Sequence, residues 1–172
     1  GHCIPVDPFY LTWKARGLGM SSHFIEHAGE INIQMPSYVV DHVQRALNED
    51  RKPLNGSRIL LLGVAYKPNI GDTRETPALE IWRLLHNLKG EVSYYDPLVP
   101  AIKGHLKPDL QFLQGREGVS EESISNVVRD SDAVVVVTPH DCFLAPSLGK
   151  RDADGNGKQD GPFASALKQY KG

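Results

Sequence analysis

Residues 58–66 (RILLLGVAY) form one apolar run in which polar and apolar side chains do not alternate. A strand with one wet face alternates, whereas a continuous run of strand length is covered on both faces, and this requires helices above and below a sheet. The next eighty residues supply them. Thr76-Pro77 pairs a capping hydroxyl with a proline at the first helical position. Ala78, Ile81, Trp82, Leu85 and Leu88 then make one apolar stripe, which Gly90 is expected to end. Glu91–Tyr95 reads as a second strand, closed by Asp96-Pro97. Ser120 is placed to cap a helix carrying Ile124, Val127 and Val128, and this helix leads into a third strand over Asp132–Thr138. Strands alternating with helices imply a parallel sheet with right-handed crossovers. The expected class is α/β, with a Rossmann-like parallel-sheet domain over residues 57–148.

The first third reads differently. Residues 1–11 are expected to be an extended loop, since Pro5 and Pro8 each disfavour helix at their own and the preceding position. Helices are expected over residues 12–50: Phe24, Ala28, Ile31 and Met35 recur at helical spacing, and Val39, Val43, Ala46 and Leu47 continue it. Pro36 between the two sets predicts a second helix start or a kink. Asn48–Ser57 reads as a linker, and residues 149–172 as a polar, irregular tail with a short amphipathic piece over Phe163–Tyr170. The stripe Phe24, Ala28, Ile31, Met35 finds no partner face within the chain, so pairing with a second copy is expected.

A net charge of −2 over 172 residues gives no field to gather nucleic acid or an anionic membrane. No apolar run approaches the length of a membrane span, and Ala133–Val137 is strand-sized. No signal-like segment opens the sequence, and two cysteines are too few for a disulfide framework or a four-ligand zinc site. Free thiols without a signal point to the cytoplasm.

Chemistry concentrates at the start. In Gly1-His-Cys-Ile-Pro-Val-Asp-Pro8, Cys3 lies in a proline-stiffened loop with Asp7 four residues on. A rigid loop can present a thiolate while the carboxylate orients water or accepts a proton. A small buried cysteine beside a turn aspartate fits the same residues. His23 and His27 share a helix face without a third ligand, and His140 reads as a residue that orders a loop. Asp152, Asp154, Asn156, Gly157 and Asp160 imitate a calcium loop, but Phe163 stands where its closing glutamate belongs. No metal is therefore assigned.

Three segments carry a resemblance. Residues 1–11 (GHCIPVDPFYL), 63–79 (GVAYKPNIGDTRETPAL) and 132–143 (DAVVVVTPHDCF) are similar, in motif and spacing, to the UDP-glucose/GDP-mannose dehydrogenase family. The resemblance implies oxidation of the C6 alcohol of a nucleotide-sugar to a uronate with reduction of two NAD. It makes Cys3 the nucleophile that forms a thiohemiacetal and then a thioester, and Asp7 its aid in the water-dependent steps. It further implies that Gly1, Tyr66 and Lys67 contact the nucleotide-sugar and that Arg74 reaches the NAD pyrophosphate. Val6 stands where UDP-glucose enzymes usually carry a basic residue. That departure resembles the branch acting on UDP-N-acetylhexosamines, and residues 11–15 (LTWKA) lean toward UDP-N-acetylglucosamine. The family implies a homodimer through the helices of residues 12–50.

Two features depart from the family. No Gly-x-Gly-x-x-Gly follows a strand, so the dinucleotide-binding domain is expected to be missing and the chain inactive alone. The family's final strand is not recognisable after Leu148. A nucleotide-sugar-binding module without chemistry and a calcium-dependent interaction fragment are the competing readings.

Overall fold

The computed structural model describes residues 3, 4 and 6–144. Gly1, Pro5, the end of the expected domain at residue 148, the calcium-like run and the rest of the tail lie outside the described residues.

Helix α1 spans Asp7–Gly17, where the sequence predicts extended chain through residue 11. Pro8 occupies the first turn, the one stretch of a helix where its missing N–H costs nothing. The Cys3 carbonyl accepts the amides of Val6 and Asp7 at 2.9 and 2.8 Å, turning the chain into the helix. Helix α2 then runs unbroken over His23–Glu49, so Pro36 starts no second helix. A proline removes one backbone bond, and the amphipathic face on either side of it carries the helix through. α1 lies against the N-terminal part of α2. The Phe9 ring rests on Gly29, where a Cβ would collide with it, and the Arg16 guanidinium meets Glu26 through Nε (3.1 Å) and Nη2 (2.9 Å).

Strand β1 (Arg58–Leu62) is central in a three-stranded parallel sheet of order β2-β1-β3, with β2 over Glu91–Tyr95 and β3 over Ala133–Val136. Leu60 pairs with Ser93 on one side and Val134 on the other. Its side chains divide between two cores. Ile59 and Leu61 join α3 (Pro77–Asn87) and the C-terminal half of α2, through Val40, Val43 and Leu47. Leu60 and Leu62 join α4 (Ile124–Asp130) and Phe143 on the opposite face. A strand covered on both faces is what its unbroken apolar run demanded.

Several boundaries differ from expectation. β1 stops at Leu62 because Gly63 turns the chain with φ +76°. α3 ends at Asn87, and Lys89, not Gly90, takes the left-handed position after it. Gly90 instead allows close packing, since a Cβ there would come within 3.1 Å of Ile59 Cδ1. Leu88, beyond the helix, is exposed. α4 begins at Ile124, and Ser120 helps through its carbonyl, which accepts the amides of Ser123 and Ile124 at 3.0 Å each.

Candidate functional site

In an open parallel sheet, ligands meet the loops leaving the carboxyl ends of the strands. Three such loops converge here. The β1 loop (residues 63–76) carries Tyr66, Lys67 and Arg74 and ends on Thr76, whose Oγ1 accepts the Ala78 amide at 3.3 Å and caps α3. The β2 loop begins with Asp96. The β3 loop carries Thr138 and His140 into α5 (Asp141–Leu144).

Asp96 fastens the three together from a buried position. Its Oδ2 accepts the amides of Val64 (2.8 Å) and Ala65 (3.0 Å), and its Oδ1 accepts that of Leu98 (2.9 Å). His140, 1% exposed, places Nε2 at 3.0 Å from the same Oδ2. Its Nδ1 accepts the Asn69 amide at 2.9 Å, which leaves the ring proton on Nε2 to be donated to Asp96. Thr138 Oγ1 donates to the Ala65 carbonyl at 2.6 Å, and a Cβ on Gly63 would collide with the Thr138 carbonyl. A buried carboxylate holding three amides and an imidazole is fully satisfied, so it rigidifies the sheet edge. The expectation that His140 orders a loop agrees with this arrangement.

The candidate cations lie outward of that hub. Lys67 is exposed; the Tyr66 amide just before it donates to the Asp72 carbonyl at 2.7 Å. Arg74 is exposed and folded onto Asp72, with Nε and Nη2 forking the carboxylate at 3.0 and 2.7 Å. The Asp72 hydrogen bond and charge raise the Arg74 pKa above its ordinary value.

Cys3 and Asp7 stand elsewhere, at the head of α1. Both are exposed, and Asp7 lines an apolar groove of about 680 Å³ between α1 and α2 together with Ile4, Phe24 and Ile33. α1 crosses α2 at Gly29, roughly 20 Å along the helix axis from Val43, where α2 rests on the α/β unit. The expected site residues thus form two groups, Cys3 with Asp7 and Tyr66 with Lys67 and Arg74; Gly1 lies outside the described residues. Cys142 is a free thiol on α5, and burial pushes its pKa up, reinforced by Asp96, Asp141 and Glu121. That is the opposite of what a nucleophile needs.

His27 faces Glu30 at 3.7 Å, and among the described residues no group of three potential ligands could hold a metal. No helix among them is long and apolar enough to cross a membrane. Sequence reasoning missed Asp96 and Asn69. An aspartate at the carboxyl end of a strand was the available signal for the first; a positive-φ asparagine has no mark of its own in the sequence.

A small parallel sheet with helices on both faces and its polar loops gathered at one edge defines a Rossmann-like ligand-binding domain. The profile of the UDP-glucose/GDP-mannose dehydrogenase family, UDP binding domain, matches residues 60–157, more than half the chain. The chain belongs to that family. It is 32% identical over 158 residues to a UDP-N-acetyl-D-glucosamine 6-dehydrogenase from Salmonella typhi, covering 92% of this chain and 34% of that protein. A Pseudomonas aeruginosa protein of the same name is 39% identical over 101 residues, 59% of this chain and 24% of the relative. Among solved structures, a UDP-D-ManNAc dehydrogenase from Pyrococcus horikoshii superimposes with a TM-score of 0.68 at 31% identity, over 85% of this chain and 30% of that one. The chain thus spans about a third or less of the length of these relatives.

Proposed function

We propose that this chain is the C-terminal part of an NAD-dependent UDP-sugar 6-dehydrogenase, with a UDP-N-acetylhexosamine as substrate. The observation that carries the reading is the UDP-binding-domain match over residues 60–157, which includes the loop presenting Tyr66 and Lys67. The names of the relatives favour an N-acetylated sugar, and Val6 in place of a basic residue agrees with them. The soluble substrate and the free thiols suit the cytoplasm.

In this reading Lys67 neutralises diphosphate charge, and Tyr66 and Gly1 also contact the nucleotide-sugar. Cys3 supplies the thiol that adds to the C6 aldehyde carbon as a thiohemiacetal, which loses a hydride and a proton to become a thioester that water then cleaves. Asp7, four residues on, takes a proton in the water-dependent steps. NAD, when bound, accepts the hydrides. The chain's own residues fit an edge contact to that cofactor and not its binding cleft. Arg74 is an exposed guanidinium that could grip a pyrophosphate by exchanging its Asp72 partner for it, whereas the space beside Gly63 is filled by the Thr138 backbone. The cleft therefore belongs to a dinucleotide-binding domain outside these residues. The exposed apolar face of α1 and α2 suits a homodimer.

The test has two arms. UDP should raise the melting temperature of the chain by mass action, and Lys67→Ala should remove most of the shift. Joined to a dinucleotide-binding domain of the family, the chain should reduce NAD with a UDP-N-acetylhexosamine, and Cys3→Ser should nearly abolish uronate formation, since a serine hydroxyl stays protonated without a dedicated base. Uronate formation by Cys3→Ser at the parent rate would refute the covalent role.

A further inference from the structure

We propose that His140 is a positioning residue of the UDP site, acting on Lys67 through the backbone of Asn69. This rests on the reading that UDP is held at the 63–76 loop. Lys67 stands between two pinned points. The Tyr66 amide is fixed on the Asp72 carbonyl, and the Asn69 amide is fixed on His140 Nδ1 at 2.9 Å. Pro68, between Lys67 and Asn69, has its own φ locked, so holding Asn69 limits the directions open to the lysine backbone.

Asn69 is suited to its part. It takes φ +62°, a left-handed conformation that asparagine tolerates better than most residues, and its Oδ1 accepts the Asp141 amide at 3.2 Å. Both ends of this one residue are thus tied to the loop after β3. The two ring nitrogens of His140 divide the work: Nε2 bonds the buried Asp96 and serves the fold, whereas Nδ1 bonds the outer loop and serves the ligand. A histidine with only a structural role would not separate these effects.

The division can be tested because glutamine places its amide near Nε2 and asparagine near Nδ1. UDP affinity and melting temperature are measured on the full chain for wild type, His140→Gln, His140→Asn and Lys67→Ala. His140→Gln keeps the Asp96 bond, so its melting temperature should stay close to that of wild type while UDP affinity falls about tenfold. His140→Asn should melt several degrees lower yet bind UDP better than the glutamine variant does. In the wild-type chain, hydrogen exchange at the Asn69 amide should slow further when UDP binds, a readout that needs no variant to fold. Wild-type affinity in His140→Gln, or unchanged exchange at Asn69, overturns the positioning role. If Lys67→Ala loses UDP at the same time, the site reading stands without it. Unchanged binding in Lys67→Ala overturns the site reading and this proposal together.

Discussion

The helical hairpin and the α/β unit handle their apolar residues in opposite ways. Between residues 57 and 143 most large hydrophobics are buried or half-buried, and Ile59, Leu60, Leu61 and Leu62 are at most 1% exposed. Among the described residues, all the exposed large hydrophobics except Ile70, Leu88, Leu98 and Val136 lie at or before Tyr38. The boundary falls within one helix. The C-terminal half of α2 is built into the core through Val40, Val43 and Leu47, while its N-terminal half leaves Phe24, Ile31, Ile33 and Met35 uncovered. The contrast separates a region whose apolar residues close on one another, with the C-terminal half of α2 included, from one whose apolar residues face outward. An uncovered apolar face of this extent commonly marks an interface.

Truncating one leucine and one phenylalanine on the same helix should have sharply different effects. Leu47→Ala, at 2% exposure, should destabilise the chain by about 2–5 kcal/mol in denaturant melts. Phe24→Ala, at 86% exposure, should change it by less than about 0.5 kcal/mol. Similar losses at both positions would mean that the hairpin already buries its face.

A smaller effect is expected on assembly. If the hairpin pairs with a second copy, Ile33→Asp should weaken self-association by at least about tenfold in sedimentation equilibrium, a charge being costly in an apolar interface. A clean monomer in the unsubstituted chain at micromolar concentration would count against the pairing and reassign the face to another partner.

The smallest effect is confined to the α/β unit and appears in alkali. Burial, with Asp96 and Glu117 adding to it, pushes the Tyr94 pKa up to about 12, and its hydroxyl donates to the Arg116 carbonyl at 3.2 Å. The folded state favours the neutral phenol, so this contribution is complete below the ordinary tyrosine pKa near 10 and is lost as pH rises toward 12. Stability measured over that window should fall less steeply in Tyr94→Phe. The same substitution at exposed Tyr38 provides the control within the hairpin.

Local pattern along the chain accounts for part of the fold. The apolar run at 58–62, the Thr76-Pro77 helix start and the stripe of α3 each declare their element, because burial on two faces and helical periodicity are written in neighbouring residues. The family, too, was legible, through three motifs of specific residues. Tertiary structure alone decided where elements stop and which loops meet. The Thr138 backbone lies so close to the turn at Gly63 that no Cβ fits there, and α2 passes through Pro36 because its later turns pack on α3. Asn69 and Asp96 stand 71 and 44 residues from His140 along the chain, yet bond to its two ring nitrogens at 2.9 and 3.0 Å. A parallel sheet brings successive loops to the same edge only after both crossovers have formed, so no local pattern could announce that hub.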